Sequence, residues 1–315
     1  MKKIKENTDL MQKIEYFFPI IVLLAICVIF SVLTGGKFTS FRNLNLIITQ
    51  ALVIGTVATG AVLIFSSGNM NIAMGGATAI ASIIGGNMYL KTGSPAAMML
   101  GCIIGGIIIM GLCCILSKVF KVPIVIITII LMTLFTSLQE LLVGRNNLKL
   151  DYMSMKALSD ANIPLMICIV FFIICFILFE FTSFGRNLKF IGENKACARQ
   201  TGMNEMRIVS IAFLVSGIGI GFGAFSTLVR AATVTQTTCA SLNMDVMLAI
   251  VLAGTPLTGG SRSKIFSGIL GAVMITALNS GLLMVGVDSI YIQAVRGVFF
   301  VIMIALSEKK SELLS

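Results

Sequence analysis

The stretch from Leu44 to Gly76, LNLIITQALVIGTVATGAVLIFSSGNMNIAMGG, decides how this chain is read. From Leu44 to Phe65 it carries no charge, and that run is long enough for a helix to cross the ~30 Å hydrocarbon core of a bilayer. It then breaks at GNMNIAMGG, Gly68 to Gly76, and a new apolar run begins at Ile72. The break is either a short turn between two helices or irregular backbone at membrane depth. The second survives only where protein buries it or where it lines a water-filled cavity. Gly68, Gly75 and Gly76 permit a bend or a close helix crossing, and the amides of Asn69 and Asn71 can bond the freed backbone groups.

The same pattern continues along all 315 residues, of which 57% are hydrophobic and 11% charged, with a mean hydropathy of +1.03. A soluble domain carries about 25% charged residues. The expected fold is therefore all-α, a polytopic transmembrane helical bundle. Ten spans are predicted: Tyr16–Leu33, Leu44–Phe65, Ile72–Tyr89, Ala97–Leu116, Val122–Leu142, Ile163–Phe181, Ile208–Thr227, Met244–Leu257, Ile265–Val285 and Ile290–Leu306. The eighth is short and the third is rich in Gly and Ala. The basic head and apolar run at the N-terminus imitate a signal peptide without a clean cleavage site, so they read as a retained first helix. Residues 1–315 form one membrane domain, with no stretch long enough for a separate soluble one.

A net charge of +10 would point to nucleic acid in a soluble protein. Here it fits the positive-inside rule, and no nucleic-acid partner is expected. With the N-terminus in the cytoplasm, ten spans place 15 of the 23 Lys and Arg on cytoplasmic segments, seven outside, and Arg296 within the last span. Both termini are then cytoplasmic. Residues 1–15 form a cytoplasmic tail, 144–162 an outer loop, and 182–207 the longest cytoplasmic segment.

The chain has eight Cys and no His. Six of the cysteines lie in predicted spans as small apolar filler, and no C-x-x-C pair occurs. Without His the usual zinc and haem ligand sets are missing, so no metal or cofactor is expected in this chain. No nucleophile–base pair stands out, which argues against an integral membrane enzyme.

Within the cytoplasmic segment, ENKACARQTG starts on Glu193 and Asn194, suited to a helix start, and ends on Gly202, a helix-stop signal. Lys195, Ala196 and Ala198 favour helix between them. The expectation is a short surface helix with Gly192 and Gly202 at its ends; the alternative is an ordinary basic loop. LAGTPLTGGSRSK, after the eighth span, spaces Gly254 and Gly259 as a phosphate loop would. Gly260 stands where the lysine belongs and no strand precedes it, so it is not a nucleotide site. Among ionisable groups at spans, Glu180 is expected to reach the membrane edge, whereas Asp245 and Arg296 either pair or face a wet cavity.

These residues together resemble the permease subunits of bacterial ABC importers of the ribose/xylose/galactose type, within the branched-chain-amino-acid and monosaccharide permease superfamily. The family's G-G-I-D-L-S-V-G-S stands here as Gly68-Asn69-Met70-Asn71-Ile72-Ala73-Met74-Gly75-Gly76. Its Gly-bounded basic segment stands as Gly185-Arg186, then Gly192-Glu193-Asn194-Lys195-Ala196, then Gly202. Its E-L-D…G-G-T-S-L-x-G-G stands as Asn243-Met244-Asp245 through Ala253-Gly254-Thr255 to Gly259-Gly260, and its L-N-N-G-L as Leu278-Asn279-Ser280-Gly281. The similarity runs from about residue 40 to 306.

The resemblance implies two permeases packed together, identical or related. It implies cytoplasmic ABC ATPases that carry the ATP and Mg, and an extracytoplasmic binding protein that delivers a small polar solute. Gly185, Arg186, Gly192, Glu193, Asn194, Lys195, Ala196 and Gly202 would form the ATPase-coupling element, which passes ATPase closure to the spans as a rigid-body push. Gly68, Asn69, Asn71, Gly75, Gly76, Asp245, Gly254, Thr255, Gly259, Gly260, Asn279, Gly281 and Arg296 would be structural or line the translocation path.

The chain departs from the family at Asn71 for Asp, Cys113-Cys114 for Asn-Gly, Ile130 for Gly, Asn243 for Glu and Ala253 for Gly. Losses concentrated at signatures imply either one half of a heteromeric permease or a different solute class. A sugar leads; nucleosides, a furanone-like signal and branched-chain amino acids are alternatives. An ion-coupled carrier fits less well, because the acids lie near span ends.

Overall fold

In the computed structural model, residues 19–144, 147–256, 258–288, 291–298 and 301 are described. Helices dominate them: α1 Pro19–Leu33, α2 Phe41–Ser66, α3 Met74–Thr92, α4 Pro95–Phe120, α5 Ile124–Val143, α6 Tyr152–Asp160, α7 Ile163–Phe176 with a π turn over Ile177–Phe181, α8 Ser183–Glu193, α9 Lys195–Gln200, α10 Glu205–Ala231, α11 Leu242–Leu252, α12 Phe266–Met284, and α13 over 291–298. Six of these are long and apolar enough to cross a membrane, and the protein is an all-α polytopic membrane protein.

Local chemistry sets the boundaries. Ser40 caps α2 by accepting from the Asn43 amide, and the helix stops just before Gly68, whose φ of +68° no side-chain-bearing residue adopts readily. Pro95 opens α4, where its missing N–H costs nothing. Asn204 opens α10 by accepting from the Arg207 amide at 3.1 Å. The predicted third span appears as α3, two residues later than expected. The eighth is the largest difference: α11 ends at Leu252, since Ala253, Gly254 and Pro256 break the helix, and Leu257 lies outside the described residues. The tail 1–15, the start of the first span and residues 290, 299, 300 and 302–306 of the last also lie outside them.

The bundle packs through small residues, because lipid offers no hydrophobic drive for helices to associate. α10 lies against α4 and α2. A side chain at Gly106 would collide with the Gly217 carbonyl, and one at Gly60 would sit 2.9 Å from the Ser216 Cα. α12 closes on α11 where Gly271 meets the Ala249 carbonyl, and on α2 where Gly268 meets Thr59. The outer stripe Ile104, Ile108 and Ile115 of α4 is exposed, as is Met166, Val170 and Ile173 of α7; both are lipid-facing surfaces at helical spacing.

The segment 144–162 is more than a loop. Leu148–Lys149 (β1) pairs antiparallel with Thr233–Val234 (β2), Leu148 opposite Val234. The Leu150 amide adds a 2.8 Å bond to the Ala232 carbonyl. Asp151 then caps α6, its carboxylate accepting from the Ser154 hydroxyl at 2.6 Å and the Ser154 amide at 3.1 Å. Those two bonds, the hydroxyl's first, hold the Asp151 carboxyl below its ordinary pKa.

Candidate functional site: a junction of three glycine-bounded segments

The basic segment folds as two helices rather than one. Thr182 caps α8, accepting from the Phe184 amide at 3.2 Å. Gly185, Leu188 and Ile191 form its buried face. The expected boundary at Gly192 is displaced to Asn194, which leaves the helical region and caps α9 by accepting from the Ala196 and Cys197 amides at 3.0 and 3.1 Å. Gly192 lies in the last turn of α8 and serves packing, not termination: a Cβ there would collide with the Ser66 carbonyl and lie 2.5 Å from the Gly260 amide nitrogen. Gly202 does follow the end of α9, with φ +77°.

Three stretches that are far apart in sequence meet at that contact. The Gly260 amide donates to the Ser66 carbonyl at 3.0 Å. Gly259 turns at φ +77°, and a side chain on it would be 2.5 Å from both the Gly68 nitrogen and the Phe65 carbonyl; one on Gly68 would be 2.9 Å from the Thr258 carbonyl. Polar side chains bind the same three together. Lys195 Nζ donates to Asn69 Oδ1 at 3.2 Å, and the Glu193 carboxylate accepts from the Ser261 amide at 2.7 Å. Behind them Glu205 pairs with Arg199 at 2.8 Å and lies 3.9 Å from Lys195. The end of α2, α8–α9 and the 258–261 turn thus form one block. Arg186 stands apart on the exposed side, donating to Ser183, and Glu180 pairs with Lys189 at 3.0 Å.

The break at 68–76 has a second role at its far end. Asn71 is buried; its Oδ1 accepts from the Ala73 amide at 3.0 Å and its Nδ2 reaches the Met110 sulfur at 3.4 Å. The Gly75 amide donates to Asn243 Oδ1, and a side chain on Gly75 would be 3.0 Å from that oxygen, while one on Gly76 would be 2.8 Å from the Phe135 Cβ. Two amides therefore serve the N-terminus of α3, one from the break itself and one from the first turn of α11. The break is largely buried in protein, and its Ala73 and Gly75 amides are bonded, which answers the first question the sequence raised.

A separate cluster starts from the same first turn of α11. Asp245 Oδ1 is 2.9 Å from Arg296 Nη1, an ionic contact without hydrogen-bond alignment. Ser241 donates to Asp245 Oδ2 at 3.0 Å, and Arg296 Nε donates to Asn279 Oδ1 at 2.9 Å. The pairing alternative for Asp245 and Arg296 is the one the structure contains, and it ties α11, α12 and α13. Gly281 lets the Phe30 ring of α1 close on α12. Thr255 donates to Ser267 at 2.7 Å, after the turn that Gly254 makes at φ +90°.

Sequence reading missed two residues. Asn243 was noted only as a departure, without its partner on α3. Gln139 was not singled out, yet its amide donates to the Thr235 and Thr238 carbonyls at 2.9 and 3.0 Å and pins the segment before α11. Its signal in the sequence is a carboxamide near the end of a predicted span.

Comparison with known proteins places this architecture. The chain is 27% identical to the ribose import permease protein of Bacillus subtilis, over 96% of this chain and 94% of the relative. It is 22% identical to the fructose import permease protein of Rhizobium meliloti, over 96% and 89%, and 27% identical to the autoinducer 2 import system permease protein of Photorhabdus luminescens, over 84% and 82%. No solved structure matches it. The family described as branched-chain amino acid transport system / permease component matches residues 43–306. With six apolar spans and that match across most of its length, the chain belongs to this family and is a multi-pass inner-membrane permease subunit of an ABC transporter.

Proposed function

We propose that this chain is half of the membrane core of an ATP-driven importer for a sugar or sugar-like solute. A binding protein delivers the solute at the outer face, and a separate cytoplasmic ATPase supplies the energy. In this reading the chain has ten spans with both termini cytoplasmic, and 182–207 is the ATPase-coupling element. The observation that carries it is the three-way junction: α8–α9 is fixed at Gly192, Glu193 and Lys195 to the ends of two other membrane segments. A push on its exposed side is then transmitted to α2 and α12 as a rigid-body movement, the kind of step that exchanges inward- and outward-open states. Covalent chemistry falls to the ATPase, with its ATP and Mg.

We further propose a heteromeric permease in which a related partner chain carries the standard signatures. Support comes from Asn71 and Asn243, both departures from acidic signature residues and both at the N-terminus of α3. The autoinducer 2 relative favours a furanone-like solute as the second reading, because its identity to this chain equals that of the ribose relative.

Gentle detergent purification of the tagged chain from its native membrane, with mass spectrometry of its companions, tests these proposals. An ATPase and a second, related permease are expected. An ATPase with this permease alone would end the heteromer proposal, and absence of any ATPase beside an intact control complex would end the importer reading.

A further inference from the structure

A cavity of about 150 Å³ opens between α2, the end of α6, the start of α7 and the end of α10. It lies on the opposite membrane face from the junction. Glu205 at the start of α10 pairs with the coupling segment, and Arg230 at the cavity is 25 residues further on, about 38 Å at 1.5 Å per residue. Arg230 lines the space with Ser159, Asn162 and Thr49 on the polar side and Leu52 and Val229 on the apolar side. No acid lines it. Arg230 makes no hydrogen bond or ion pair among the described residues. The space equals that of about five waters, enough for a phosphate group with a short hydroxylated substituent.

The surroundings are those of the lipid headgroup layer. α6 exposes Tyr152 and Met153 between two membrane segments, where an amphipathic helix lies in the interface plane. On α2, Thr49 follows the exposed Leu46 and Ile48, so acyl chains have an apolar surface beside the cavity. We propose that this cavity holds the headgroup of an anionic, glycerol-bearing phospholipid of the leaflet opposite the ATPase. The Arg230 guanidinium binds the phosphodiester through charge-assisted hydrogen bonds, and Ser159 and Asn162 meet the glycerol hydroxyls. A choline headgroup carries the same phosphodiester but would bring a second cation beside Arg230 and no hydroxyl for Ser159 and Asn162. Naming the leaflet rests on the coupling role of α8–α9; the site itself does not.

Native mass spectrometry of the full chain, released from detergent micelles doped with phosphatidylglycerol or phosphatidylcholine, tests this. Phosphatidylglycerol is expected to stay bound and phosphatidylcholine to be lost. Arg230→Gln should weaken retention about tenfold, the cost of one charged hydrogen bond. Ser159→Leu, which fills the cavity and keeps the charge, should weaken it as well. Equal retention by wild type and both variants, or no retention by wild type, overturns the proposal. Displacement of the lipid by inorganic phosphate also overturns it, and assigns the cavity to a free anion.

Discussion

Gly192→Ala tests the three-way junction at its tightest point. On a free surface helix this change stabilises by about 1 kcal/mol through helix propensity. Here the new methyl would collide with the Ser66 carbonyl and sit 2.5 Å from the Gly260 nitrogen, and both are backbone atoms that cannot swing away. α8 must retreat by about an ångström to clear the carbonyl. That carries the Lys195–Asn69 contact from 3.2 Å beyond hydrogen-bond range and stretches the 2.7 Å Glu193–Ser261 bond. Overpacking costs about 1–3 kcal/mol, and the weakened bonds to charged groups about 1–2 more at this exposed site. Destabilisation of about 2 kcal/mol remains after the propensity gain. The assays are thermal unfolding of the purified chain and solute uptake per ATP hydrolysed by the assembled transporter. Both should fall. Gly111→Ala, where the nearest heavy atom is the Leu214 Cδ2 at 3.6 Å, serves as the control. If Gly192→Ala matched Gly111→Ala in stability and coupling, the packing argument would be refuted and the coupling role with it.

Other consequences are equally direct. Glu193→Ala removes the acceptor for the Ser261 amide and should speed that amide's hydrogen exchange about tenfold, while Glu193→Gln keeps an acceptor and does less; unchanged exchange in the Ala variant would refute the clamp. Asp245→Asn or Arg296→Gln alone strands a buried partner and should cost about 3–5 kcal/mol. The double replacement should cost less than the sum, by about 1–3 kcal/mol, and strict additivity in thermal unfolding would show that the pair is not coupled. At α6, the Asp151 pKa is depressed by its bonds to Ser154, so the cap is fully present above the ordinary carboxylate pKa of about 3.9 and is lost as pH falls through the lower folded value. Ser154 amide protection should therefore drop only in acid, and an Asp151→Ala chain with the same acid response would exclude the carboxylate as its origin.

The membrane class, the positions of six apolar spans and the presence of a distinct basic segment at 182–207 were legible because they depend on local quantities. Twenty apolar residues imply a spanning helix wherever they occur, and basic residues concentrate beside them for a reason that needs no neighbour. Helix ends were less legible. Gly192 has the sequence appearance of a helix terminus and is a contact surface, while Asn194, a capping residue by type, sets the boundary. The 144–162 loop contains a helix and a strand because Ala232 and Val234, about eighty residues later, supply the pairing partners.

The sequence by itself determined that this chain lives in a bilayer, that its apolar frame is helical, and that its glycines and amides cluster at a few breaks. The tertiary structure alone decided what those breaks are for. Ser66, Gly192 and Gly260 are separated by more than a hundred residues at the first step and by sixty-eight at the second, yet their backbones touch. Asn71 and Asn243 serve one helix end from opposite halves of the chain. Propensity and hydropathy act over a few residues, whereas close backbone approach and the bonding of buried polar groups are properties of pairs. Only the packed bundle brings those pairs together.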